Sequence, residues 1–181
     1  MPSSNPAEIL LAHNAWANRN LLDACVGLTP EQLHQRFEMG PGSLHDTLAH
    51  IAGAQRGWAD MLAGRAIRDR IEKTGPYRLE QLRTLHEDSA QELADALAAH
   101  PLDGIATAER DGKSYSFARG GVLTHVTTHS MHHRAQCLNM PYSPEAEPPN
   151  IDVIDRAKIV DCQGNHGLSR MTGAGIGTIA I

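Results

Sequence analysis

The chain has 181 residues, 41% of them hydrophobic and only 4% aromatic, which suffices for one ordinary core without disulfide staples and favours close helix packing over a β-sandwich. A formal net charge of -5 with no long basic run leaves nothing to drive phosphate-backbone binding, so nucleic acid is not expected as a partner. The three cysteines, Cys25, Cys137 and Cys162, lack C-x-x-C spacing, and neither a signal-peptide pattern nor a membrane-length apolar run is present, so a soluble cytoplasmic protein is expected.

Asn5, Pro6 and Glu8 supply an N-cap, a first-turn proline and an early acid, which predict a helix from about Pro6 to Val26, ended by Gly27. Its apolar members Ile9, Trp16, Ala17, Leu21, Ala24 and Cys25 recur at steps of three and four. Thr29, Pro30, Glu31 and Gln32 repeat the cap logic for one short turn, and Met39-Gly40-Pro41-Gly42 reads as loop. Ser43 opens a second long helix, with Leu44, Leu48, Ile51, Gln55, Trp58 and Leu62 in one stripe down to Gly64. A charged linker, residues 65 to 75, precedes a third helix from about Leu79 to Ala99, stopped by Pro101.

The period then changes from helical to alternating. Asp111-Gly112 sits between two short alternating runs and predicts a tight hairpin turn. Beyond it, Gly120-Gly121 and Pro141 bound a fourth helix that holds His125, His129, His132 and His133. Four long helices with one hairpin make an all-α, antiparallel-type four-helix bundle the expected fold, its interior being where facing helices can build a metal site. Residues 1 to 160 form the expected domain, and 161 to 181 an irregular C-terminal tail without an assignable role.

Positions 125, 129 and 133 step by four, which stacks their side chains on one helical face. Two imidazoles one turn apart can close on a single metal ion, and they need at least one more ligand from elsewhere. Other patterns fail on inspection. His86-Glu87 lacks the second histidine of H-E-x-x-H, a di-iron bundle wants two Glu-x-x-His motifs where only Glu31 to His34 offers one, and no haem-attachment or phosphate-binding motif occurs. A mononuclear site with at least two histidines survives, with His13, His45 and His50 all open as the further ligand.

Three segments in order, Leu11 to Asn18, Ser43 to Ile51 with Trp58, and His125 to Gln136, resemble the DinB/YfiT-like family of metalloenzymes across roughly residues 5 to 160. The resemblance implies a metal triad of His50, His129 and His133. It places His125 at a pocket wall, while Asn14, Asn18, Gln55 and Gln136 are candidates to orient imidazole N–H groups or hold substrate. Gln55 stands where the family commonly has an acid.

Three histidines leave a coordination position open, as at a catalytic metal. By resemblance the divalent ion, nickel or zinc, would activate a low-molecular-weight thiol for S-transfer to an electrophile. Activated water would instead favour hydrolysis, and a non-catalytic, stress-linked metal-binding protein is the third reading. A small-molecule substrate and a homodimer are the expected partners.

Overall fold

The computed structural model describes residues 5–110 and 112–140. The elements follow as α1 (Pro6–Ala24), α2 (Pro30–His34), α3 (Leu44–Leu62), α4 (Ile71–Thr74), α5 (Leu79–Ala98), β1 (Ile105–Arg110), β2 (Lys113–Ala118) and α6 (Arg119–Leu138). The chain is thus mostly helical with one small antiparallel hairpin, whose strands pair from Ile105 with Ala118 to Arg110 with Lys113. Asp111, expected in the hairpin turn, lies outside the described residues, as do the tail from residue 161 and Cys162. Among the described residues no helix is long and apolar enough to cross a membrane.

The helix starts follow from local chemistry. Asn5 accepts from the Ala7 amide, Ser43 accepts from the Asp46 amide, and Thr29 with Gln32 forms a reciprocal capping box, each satisfying amides that a helix N-terminus leaves without partners. The fourth long helix begins earlier than its glycines suggest, at Arg119. Gly120 belongs to its first turn because a Cβ there would stand 3.2 Å from the Leu102 carbonyl oxygen, which accepts from the Gly120 amide at 2.8 Å. Close packing, rather than helix breaking, accounts for this glycine. The charged linker also carries structure that its polarity hid: α4, anchored by the fully buried Ile71.

Two apolar clusters make up the core. One gathers Leu21, Leu22, Leu44, Leu48, Leu82, Cys137 and Met140, the other Leu62, Leu93, Leu97, Val122 and Val126. Leu44 and Leu82 enter the first cluster at the start of their helices, whereas Leu21 and Cys137 reach it at the end of theirs. Helices α3 and α5 therefore run one way and α1 and α6 the other. Contacts link α3 with α5 and α6, and α1 with α5 and α6, so each long helix packs on one parallel and one antiparallel neighbour. The exposed Ala24 departs from the stripe expected of α1, and Trp16 and Trp58 are only partly buried.

Between the two clusters lies a polar layer to which all four long helices contribute. Arg134 Nη1 donates to Asn14 Oδ1 at 2.8 Å and to Asn18 Oδ1 at 2.7 Å. Asn14 Nδ2 donates to Gln55 Oε1 at 2.9 Å, and Gln55 Nε2 to Ser89 Oγ at 3.3 Å. His86 Nε2 completes the layer by donating to the Leu48 carbonyl at 2.9 Å. Burial pushes the Arg134 guanidinium down to about 10 and His86 down to about 4, so at neutral pH the arginine is charged and the histidine neutral. Amide oxygens take the place of a carboxylate partner, which satisfies the buried donors without an ion pair.

At one end, Arg119 Nη2 donates to the carbonyls of Leu62 and Ala96, in the last turns of α3 and α5. A guanidinium there serves two carboxyl-terminal helix ends at once. Asp60, almost fully buried, holds Arg65 and Arg68, which both also reach Glu92.

Candidate metal centre

Helix α6 presents His125, His129 and His133 along one edge, and the edge faces α3 where His50 projects. His50 Nε2 lies 3.2 Å from His129 Nε2. The His133 ring sits 4.6 Å from that of His50 and 4.4 Å from that of His129, close to perpendicular to the first. One ligand nitrogen from each of the three lies within 4.8 Å of the others. Two imidazole nitrogens on one tetrahedral zinc-like ion, each about 2.0–2.1 Å from it, stand about 3.3 Å apart, close to the His50–His129 separation. Of the three histidines left open by spacing, His50 is the one brought to this edge. His45 meets the Tyr77 carbonyl, and His13 lies against Trp16.

The outer nitrogens settle which inner atoms are free to ligate. His50 Nδ1 is 2.8 Å from Glu72 Oε1; a carboxylate accepts, so the proton sits on Nδ1 and the Nε2 lone pair points inward. His133 Nδ1 donates in the same way to Gln136 Oε1 at 2.8 Å, while the Gln136 amide group donates to His132 Nε2 at 3.0 Å. A ligating histidine commonly shows this pattern, its far N–H held by a carboxylate or carbonyl. His129 Nδ1 is buried and finds no hydrogen-bond partner among the described residues, so nothing fixes its tautomer. Its Nε2 can carry the proton that bridges to His50 or, in the other tautomer with the proton on Nδ1, offer its lone pair to a cation.

Two glycines make room for these supports. A Cβ on Gly53, one turn after His50, would stand 2.9 Å from Glu72 Oε2. A side chain on Gly40, whose φ is +52, would collide with the Gln136 amide. Gly53 thus lets a carboxylate from α4 approach His50, and Gly40 leaves room for the Gln136 amide beside His133.

Burial, with the neighbouring His133 and His50 rings adding to it, lowers His129 to about 4. His133 is lowered as well, chiefly by burial, against the opposing bond from Gln136. Both rings are therefore neutral at pH 7, the form that binds metal. Three convergent imidazoles, two of them with the outer nitrogen held, fit a divalent ion of the borderline class. The His50 side chain remains 31% exposed, which leaves the triad accessible from solvent.

The other sequence candidates fall elsewhere or at the rim. Gln136 stands beside the triad as described. His125 is exposed, its ring 5.5 Å from that of His129 and 5.3 Å from that of Trp58, which in turn packs on Phe117 at 5.1 Å; together these rings flank one side of the triad. Asn14, Asn18 and Gln55 hydrogen-bond in the Arg134 layer instead of to the three imidazoles. The carboxylate that reaches a triad imidazole is Glu72 on α4. Sequence reasoning passed over it within a charged linker, although Ile71, an apolar residue amid charges, was a signal that the segment packs.

A groove of about 1240 Å³ runs between α1 and α5, lined by Leu11, Ala15, Ala90 and Ala94 among others, and takes in no triad residue. Its size does not make it the chemical centre, because it gathers no convergent set of ligand atoms.

A family model described as the DinB family matches residues 1–159. Among curated proteins no sequence matches the chain.

Proposed function

The chain belongs to the DinB family, and from that premise we propose that it binds a divalent metal ion through His50, His129 and His133 and is an enzyme that activates a low-molecular-weight thiol for S-transfer to an electrophile. On this reading the four long helices are a DinB-type four-helix bundle, residues 1 to 160 are the metal-binding domain, and the ion is zinc or nickel. The single observation that carries the proposal is the convergence of His50 and His129 at 3.2 Å with the outer nitrogens of His50 and His133 already engaged.

When bound, such an ion lowers the pKa of a thiol or water at its open position. The chain's own residues do the rest. Glu72 keeps the proton on His50 Nδ1 and Gln136 keeps the proton on His133 Nδ1, so both rings hold their orientation through a catalytic cycle. His125, Trp58 and Phe117 border the triad and are the surfaces against which a small substrate would pack. In the transfer itself the thiol sulfur forms a bond to the electrophilic carbon. The leaving group departs with the electron pair of the broken bond, and the thiol proton passes to solvent.

The test is conjugation by untagged protein loaded with Zn²⁺ or Ni²⁺, using a panel of small thiols and an aryl halide electrophile. A rate that requires metal and vanishes in His129→Ala supports the proposal. No metal-dependent conjugation with any thiol retires the transferase reading, and metal-dependent turnover of an ester without thiol replaces it with hydrolysis.

A further inference from the structure

A second group of ligand-type side chains meets where α2 abuts the start of α3. His34, His45 and Asp46 each place one ligand atom within 4.8 Å of the others. His34 is the last residue of α2, and His45 and Asp46 lie in the first turn of α3. The rings of His34 and His45 are 4.3 Å apart.

The hydrogen bonds around His45 fix its tautomer. Its Nε2 is 2.8 Å from the carbonyl oxygen of Tyr77, and a carbonyl can only accept, so the proton is on Nε2. In the neutral ring Nδ1 then carries a lone pair, and it faces Asp46 Oδ1 at 3.3 Å. Nδ1 and Oδ1 are thus two ligand-type atoms side by side. Arg36 occupies the other carboxylate oxygen, Nη1 to Oδ2 at 2.6 Å, which leaves Oδ1 for a further positive partner. A cation shared by Nδ1 and Oδ1 would be that partner. It also gives the exposed His34 a reason to sit against the buried His45 ring.

We propose that His34, His45 and Asp46 form a second divalent-metal site, of two imidazoles and one carboxylate with solvent completing the shell, suited to Zn²⁺ or Cu²⁺. The Tyr77 carbonyl orients the buried ligand from outside, as a backbone acceptor does for a ligating histidine. Occupancy pins α2 to the start of α3 and closes the intervening loop.

The experiment titrates Zn²⁺ into untagged full-length His129→Ala protein, in which the triad is disabled, and into the same protein carrying His34→Ala as well. His34 is exposed at a helix end, so its loss leaves the fold intact. The first protein should retain one Zn²⁺ equivalent, and removing His34 should weaken it about ten-fold or more. With Cu²⁺ as the probe, electron paramagnetic resonance should show two coupled imidazole nitrogens in the first protein and fewer in the second. Equal Zn²⁺ affinity with and without His34, or an unchanged copper spectrum, would overturn the proposal. Because the triad is already broken in both proteins, the outcome is separate from that of the thiol-transfer reading.

Discussion

Glu72 Oε1 stands 2.8 Å from His50 Nδ1, joining a four-residue helix in the linker to the only triad imidazole contributed by α3. The carboxylate holds the proton on the outer nitrogen and so aims the inner lone pair at His129.

Glu72→Ala should therefore lower metal affinity by roughly 10–100-fold while leaving the fold unchanged. Glu72→Gln keeps an acceptor and should fall between that variant and the parent. Gly53→Ala, which crowds the same carboxylate, should weaken binding in the same direction. Equilibrium dialysis against a competing chelator measures all three, and unchanged affinity in Glu72→Ala would deny the carboxylate this role.

Arg134 carries the polar layer between the two apolar clusters. Arg134→Met leaves the side-chain oxygens of Asn14 and Asn18 short of donors in the interior and should destabilise the protein by about 3 kcal/mol, read from urea unfolding. Ser89→Ala removes two weaker bonds, one from Gln55 and one to the His86 carbonyl, and should cost about 1 kcal/mol. Metal stoichiometry should be unaltered in both, because neither side chain hydrogen-bonds to the triad.

Acid sensitivity follows from His86. Its folded-state value is depressed by burial to about 4 against an ordinary 6.5, so the unfolded chain binds the extra proton first. Stability is fully present above about pH 6.5 and is lost as the pH falls towards 4, by roughly 3 kcal/mol for this group. In the metal-free protein His129 adds a loss of the same sign. His86→Gln, which retains a donor for the Leu48 carbonyl, should flatten the dependence over that interval in chemical unfolding at several pH values. An equally steep profile in that variant would assign the acid sensitivity to other groups.

Cys25 and Cys137 are both buried, and burial pushes each thiol up to about 12. In a Cys162→Ser background neither should react with an aromatic disulfide at pH 7 and 25 °C until the protein unfolds. Labelling of the native protein at the rate of a free thiol would contradict that burial.

Much of this architecture was legible from residues whose chemistry is local. Asn5, Thr29 with Gln32, and Ser43 announce helix starts because their side chains bond amides two or three residues on, and Asp111-Gly112 announced the hairpin. The one-turn spacing of His129 and His133 was equally plain, since both ligands lie on one helix. His50 was not separable by pattern from His45 and His13, because what distinguishes them is which helix faces which, a tertiary fact. Glu72 was hidden for the same reason. Asn14, Asn18 and Gln55 read as ligand supports, whereas Arg134 claims the two asparagines and Asn14 in turn holds Gln55; a lone arginine beside the histidines gives no sign of pointing into the core. The glycines at 120 and 121 read as a helix boundary, whereas the approach of the Leu102 carbonyl draws Gly120 into the helix.

The central claim is that imidazoles from α3 and α6 share one ion. Zinc-edge X-ray absorption on untagged His34→Ala protein, loaded with one equivalent of Zn²⁺, tests it most directly. The account predicts a shell containing three imidazole nitrogens at about 2.0–2.1 Å, falling to two in the additional His50→Ala variant. A shell dominated by oxygen or sulfur, or one indifferent to the loss of His50, would contradict it.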